Sequence, residues 1–128
     1  MSAKILIVDD ESNLLRLIGY VLQVEGYEIV TAQSGMEAPN KIQTEKPDLI
    51  ILDSTLPDIS GLEICQRLRR NSYTADLPII MLSAWVELSD KIRGLEAGAD
   101  EYITKPVDPD ELVARVGALL SAKGPRRR

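Results

Sequence analysis

The chain contains no histidine in 128 residues and one cysteine, Cys65. The first absence excludes imidazole as acid, base or metal ligand. The second excludes an internal disulfide and fits a reducing compartment. Cys65 stands between Ile64 and Gln66 in an expected helix and reads as a buried thiol rather than a reactive one. No long hydrophobic run is present. The N-terminus offers only the short run 4–8 before two aspartates, which is neither a signal peptide nor a membrane span, so a cytoplasmic protein is expected. Positive charge is in deficit, with 15 Lys and Arg against 20 Asp and Glu, a net charge of −5. Such a surface repels nucleic acid unless its charge is strongly segregated, so direct nucleic-acid contact is not expected. Repeats and low-complexity segments are missing too, and the length suits one domain.

What is present is a set of polar residues placed where apolar runs end. Lys4-Ile5-Leu6-Ile7-Val8 runs into Asp9-Asp10, and Leu49-Ile50-Ile51-Leu52 into Asp53. Ile79-Ile80-Met81-Leu82 ends at Ser83, and Tyr102-Ile103-Thr104 at Lys105. Short continuous apolar runs read as strands buried on both faces, as in parallel sheets. Ligands of such sheets bind beyond the carboxyl ends of the strands.

Between these runs the pattern is helical. Leu14, Leu15, Ile18, Val21 and Leu22 repeat at helical spacing, with Gly26 as the stop, and residues 28–32 give a second strand. Ser34-Gly35-Met36-Glu37 reads as a capping box that opens the second helix, with Pro39 in its second turn. Residues 61–71 give the third helix. Leu88, Ile92 and Leu95 form one apolar stripe on the fourth, which Gly98 ends. Asp108-Pro109-Asp110-Glu111 starts the fifth, whose core face is Leu112, Val113, Val116, Leu119 and Leu120. The expectation is an α/β fold, a doubly wound (βα)5 unit with a parallel five-stranded sheet. The domain is expected over 1–122, followed at 123–128 by a basic tail or truncated linker rather than a phosphate-binding arm.

If the first and third strands are neighbours, Asp9, Asp10 and Asp53 share one crevice. Three anions so close repel, and one is forced to protonate unless a cation intervenes. Mg2+ suits the place, since it takes oxygen ligands and bridges carboxylates to phosphate. A nucleotide-binding domain would instead need a glycine-rich loop after the first strand, where Asp9-Asp10-Glu11-Ser12 stands.

Asp9-Asp10, Asp53 followed by Leu56-Pro57 and Gly61, Ser83-Ala84, Tyr102 and Lys105-Pro106 together resemble a response-regulator receiver domain of two-component signalling. The resemblance covers the chain from about Lys4 to Leu120 and is nearest to receivers of winged-helix transcriptional regulators. It implies a flavodoxin-like sheet in the order 2-1-3-4-5. It implies that Asp53 accepts a phosphoryl group from a sensor histidine kinase or a small phosphodonor, in a signalling switch rather than a turnover enzyme. A chain without histidine can accept from phosphohistidine but cannot be one.

By the same resemblance Asp10 and Asp53 would ligate Mg2+ directly, Asp9 through water and Thr55 through its backbone carbonyl. Lys105 would pair with the phosphoryl group, Ser83 would donate to it, and the Lys105-Pro106 bond would be cis. Ser83 and Tyr102 would form the switch pair, Ser83 drawn inward and Tyr102 turning from exposed to buried. Thr55 and Trp85 would control dephosphorylation. Leu56 and Ser83 replace a frequent methionine and threonine without changing the chemistry.

Three alternatives bear on function. A dehalogenase-like phosphohydrolase also uses a strand-end aspartate with Mg2+, but needs a second acid where Thr55 stands. Lys91, Arg93, Asp100, Glu101, Glu111 and Arg115 give the fourth helix, fifth strand and fifth helix a mixed-charge face. That face reads either as a homodimer surface formed on phosphorylation, with a DNA-binding domain beyond Arg128, or as a solvated surface. The third reading is a stand-alone receiver that binds a partner there.

Overall fold

Strands and helices alternate without exception through the computed structural model, which describes residues 2–123. In order they are β1 (Lys4–Val8), α1 (Ser12–Val24), β2 (Glu28–Ala32), α2 (Glu37–Glu45), β3 (Leu49–Asp53), α3 (Gly61–Arg70), β4 (Ile79–Ser83), α4 (Leu88–Ala97), β5 (Glu101–Thr104) and α5 (Pro109–Lys123). Every neighbouring pair is parallel, and the sheet order is β2-β1-β3-β4-β5, as expected. The tail expected at 123–128 lies outside the described residues except for Lys123, which ends α5. Among the described residues no helix is long and apolar enough to cross a membrane.

The apolar runs behave as sandwiched strands do. All five residues of β3 and of β4 are buried, whereas the edge strand β2 is half exposed. Alternate side chains serve opposite layers. Leu6, Val8, Ile50, Leu52 and Met81 join Ile64, Cys65 and Leu68 of α3. Ile5, Ile7, Ile51, Ile80 and Leu82 join Leu15, Ile18 and Leu22 of α1 and Leu112 and Val116 of α5. Each such aliphatic side chain contributes about 1.5–3 kcal/mol on burial. Burial also pushes the Cys65 thiol up to about 11, so it is a packing residue.

Register then places the strand ends. Val8 pairs with Leu52, so the next residues, Asp9 and Asp53, fall side by side. Asp53 pairs with Leu82 and Ser83 with Thr104, which brings Ser83 and Lys105 to the same edge.

Two helices depart from the sequence reading. The capping box at Ser34 does not form. Glu37 does reach back, but to the Ser34 hydroxyl at 3.1 Å and the Gln33 N–H at 3.3 Å, and α2 begins only at Glu37, with Pro39 in its first turn. The open end is served from another loop: Asp58 accepts the N–H groups of Gly35 and Met36, both at 2.8 Å. The stripe on α4 faces solvent, with Leu88 72%, Ile92 46% and Leu95 48% exposed. The packed face carries Gly94 and Ala97 instead. A β-carbon on Gly94 would stand 2.7 Å from the Tyr102 ring, so only the bare glycine lets α4 lie against that aromatic.

Arg69 ties the far end of this layer together. Its guanidinium donates to the carbonyls of Leu77 (2.6 Å) and Gly98 (2.8 Å) and to Asp100 Oδ2 (2.9 Å). Asp100 Oδ2 also accepts the Ile79 N–H at 2.9 Å. Asp100 is therefore committed inside the fold, a correction to its expected place on the charged face.

Candidate functional site

Asp9 continues the β1 ladder through its N–H to the Ala32 carbonyl, 3.0 Å. Its side chain turns into the crevice, fully buried, with Oδ1 accepting the Glu11 N–H at 2.9 Å. Asp53, the last residue of β3, is only 4% exposed, and its Oδ1 accepts the Thr55 N–H at 3.2 Å. Asp10 is exposed at the mouth. One oxygen from each of these three acids lies within 4.8 Å of the others. The expected trio is thus assembled.

Lys105 enters from the opposite side. Its N–H is held by the Ser83 carbonyl at 2.8 Å, and the Lys105-Pro106 peptide is cis. The ammonium lies 3.1 Å from Asp9 Oδ2 and 3.4 Å from Asp53 Oδ1. Burial by itself would lower the Lys105 pKa, but Asp9 and Asp53 outweigh it and hold the pKa above its ordinary value. The Asp53 pKa is raised as well, which for a carboxyl favours the neutral form. Burial raises its pKa and Asp9 adds to the rise, while the Thr55 N–H and Lys105 only partly offset them.

Three carboxylates against one ammonium leave a surplus of two negative charges. Asp9 Oδ2, cut off from solvent, has the ammonium nearby but no aligned hydrogen bond. A buried carboxylate oxygen so placed, beside two further acids, fits a hard divalent cation with oxygen ligands. Mg2+ therefore fits the donor set. Thr55 is exposed, and its N–H is spent on Asp53.

The hydroxyl side of the crevice holds one surprise. Ser83 is fully buried and its Oγ accepts the Trp85 N–H at 3.0 Å. Its other partner is Ser54 Oγ, 2.7 Å away and also buried. Sequence reading passed over Ser54, because a serine after a strand looks like any loop residue. Asp58 and Arg69 were missed as well; the Gly35 and Met36 N–H groups that Asp58 serves and the Gly98 and Asp100 oxygens that Arg69 reaches stand 22 or more residues away, beyond any local pattern.

Tyr102 is half-buried, and its hydroxyl donates to the Trp85 carbonyl at 2.8 Å. The expected switch pair is therefore joined through Trp85, whose N–H meets Ser83 and whose carbonyl meets Tyr102. Trp85 itself is 40% exposed. On the charged face, Arg115 reaches Glu101 at 3.3 Å and Glu111 at 3.9 Å, and Arg93 reaches Asp90 at 3.9 Å.

Known proteins are similar to this chain in sequence and fold. Residues 5–117 match the response regulator receiver domain. The chain is 50% identical over 120 residues to the alkaline phosphatase synthesis transcriptional regulatory protein PhoP of Bacillus subtilis, covering 94% of this chain and 49% of that protein. It is 51% identical over 121 residues to the phosphate regulon transcriptional regulatory protein PhoB of Pseudomonas aeruginosa, covering 94% and 53%. The chain thus spans about half the length of these relatives. A putative response regulator of Chloroflexus aurantiacus superposes with a TM-score of 0.91 at 43% identity, covering 94% of this chain and 99% of that one. A CheY-like response regulator receiver domain of Methanospirillum hungatei gives 0.88 at 32% identity, covering 96% and 97%.

Proposed function

This chain belongs to the response regulator receiver domain family, and from that premise we propose that Asp53 is its phosphoacceptor, in a switch driven by a sensor histidine kinase or a small phosphodonor. The observation that supports this most is the ammonium of Lys105 3.4 Å from Asp53 Oδ1, within a crevice shared with Asp9 and Asp10.

In the transfer, an Asp53 carboxylate oxygen bonds to phosphorus as the bond from phosphorus to the donor breaks, leaving an acyl phosphate. The nucleophile must be the carboxylate. Lys105 and the Thr55 N–H favour that form and partly offset burial and Asp9, which favour the neutral acid. Lys105 then meets the phosphoryl oxygens, and Ser83 donates a hydrogen bond to one of them. Both act by fixed charge and dipole on charge that shifts as the group moves. Bound Mg2+, held by Asp10, Asp53 and the Thr55 carbonyl, with Asp9 through water, would supply charge neutralisation between carboxylates and phosphoryl group.

The signal leaves through Trp85. Movement of Ser83 toward the phosphoryl group changes what the Trp85 N–H meets, and the Trp85 carbonyl is where Tyr102 is fastened. Tyr102 then turns further into the layer beneath α4. The phosphoryl group must favour the switched state by a differential affinity. The face built from α4, β5 and α5 is read by a second copy of the chain or by an output domain, which in the relatives named above belongs to a transcriptional regulator.

Incubation with a small acyl phosphate tests the reading. The chain should gain the mass of one phosphoryl group only with Mg2+ present, and Asp53→Ala should gain none. An Asp53→Ala chain that is phosphorylated at the parental rate overturns it.

A further inference from the structure

The contact that the phosphoacceptor reading leaves unused is the pair of buried hydroxyls, Ser54 Oγ and Ser83 Oγ, 2.7 Å apart. Ser54 is 2% exposed and Ser83 fully buried. Both are held firmly by their backbones. The Ser54 N–H donates to the Leu82 carbonyl at 2.9 Å and its carbonyl accepts the Gly61 N–H at 3.0 Å. The Ser83 carbonyl accepts the Lys105 N–H at 2.8 Å.

Two hydroxyls carry two protons, and the bond between them uses one. The Trp85 N–H can only donate, so it takes a lone pair of Ser83 Oγ and no proton. One buried O–H of the pair is therefore left to find an acceptor, and a buried donor without one is unfavourable. If Ser54 donates, Ser83 Oγ accepts two hydrogen bonds and has its own proton left, at the strand edge that carries Asp53. A phosphoryl oxygen on Asp53 is the acceptor that would use it.

We propose that Ser54 is a positioning residue for phosphoryl binding: its hydroxyl donates to Ser83 Oγ and so turns the Ser83 proton toward the phosphoryl group. The proposal rests on the phosphoacceptor reading and extends it to a residue outside the acid, lysine and hydroxyl set. Bonds aligned head to tail from Ser54 through Ser83 to the phosphoryl oxygen polarise one another, so the Ser83 hydroxyl becomes a better donor than it is alone. The competing role for Ser54 is to fill space at the rim of the core, where any small side chain would do.

Binding of beryllium trifluoride with Mg2+ to the full chain separates the two roles. Affinity is measured by calorimetry for the parent, Ser54→Ala, Ser83→Ala, the double variant and Ser54→Thr, with thermal unfolding of each as a control for folding. Ser54→Ala should weaken binding by roughly three- to tenfold, the scale of one net hydrogen bond. Ser83→Ala should weaken it at least as much, and adding Ser54→Ala to Ser83→Ala should change nothing more, because Ser54 acts only through Ser83. Ser54→Thr keeps the hydroxyl and should stay near the parent. Parental affinity in Ser54→Ala, an equal loss with or without Ser83, or Ser54→Thr binding as poorly as Ser54→Ala each overturns the proposal. A parent chain that does not bind the mimic at all overturns the phosphoacceptor reading instead, and the role of Ser54 with it.

Discussion

A β-carbon on Gly61 would overlap the backbone carbonyl of Asp53. The first residue of α3 therefore lies directly against the end of β3, and the Gly61 N–H bonds the Ser54 carbonyl at 3.0 Å. This close approach fixes the position from which the Asp53 side chain enters the crevice.

Gly61→Ala should accordingly be destabilising. The obstructing atom is backbone, which cannot swing aside as a side chain can, so the strand end or the helix must shift. Overpacking of this kind costs about 1–3 kcal/mol. Urea denaturation measures it, and phosphorylation of Asp53 should slow as well. A variant with parental stability would show that the approach relaxes without cost.

The sequence predicted β1, β3 and β4 nearly to the residue because each is a short apolar run bounded by polar residues. Five charged or hydroxyl groups at strand ends were legible for the same reason. The failures share a different cause. The face that α4 buries depends on Gly94 meeting Tyr102, and Asp100 turns inward because Arg69 meets it; neither pairing leaves a local pattern. The start of α2 departs likewise, since Asp58 of another loop holds the Gly35 and Met36 N–H groups and the helix begins only at Glu37.

Asp58 should show its role in a pH series. Burial pushes its pKa up, but the N–H groups of Gly35, Met36 and Ile59 outweigh that and hold it below the ordinary 3.8. A carboxyl with a depressed folded-state pKa stabilises the fold fully above its unfolded value, and the contribution is lost as pH falls through the depressed value. Asp58→Ala should therefore melt below the parent at neutral pH, with the gap closing in acid below the carboxylate range. A gap that stays constant across the series would assign the loss to packing rather than to charge.

Self-association should depend on the exposed stripe of α4. Exposed ion pairs such as Arg115 with Glu101 contribute only about 0.2–1 kcal/mol each, so apolar contact has to supply the rest. Leu88, Ile92 and Leu95 of α4 are exposed and can supply that contact. Ile92→Glu should abolish phosphorylation-dependent dimerisation while leaving the phosphorylation rate unchanged, as sedimentation at modest and high salt would record. A phosphorylated parent that stays monomeric at every concentration supports the stand-alone receiver instead.

The lifetime of the phosphorylated state should be set by Trp85 and Thr55. Hydrolysis of an acyl phosphate needs a water in line with the bond from phosphorus to the Asp53 oxygen. Thr55, two residues past Asp53, carries no amide or carboxylate to orient that water. The Trp85 backbone is held at both ends, its N–H by Ser83 and its carbonyl by Tyr102, so the indole starts from a fixed place beside the crevice. At 40% exposure Trp85 is neither free in solvent nor sunk in the core, which suits a partial cover and also suits an anchor for a partner. The two roles give different kinetics. If the ring screens the phosphoryl group, Trp85→Ala should speed dephosphorylation about tenfold, equal to about 1.4 kcal/mol of barrier. Thr55→Asn should also speed it, by adding a group that orients water. If both variants lose phosphate at the parental rate, Trp85 belongs to the partner surface, and its substitution should then weaken kinase or dimer contact while leaving the acyl phosphate as long-lived as before.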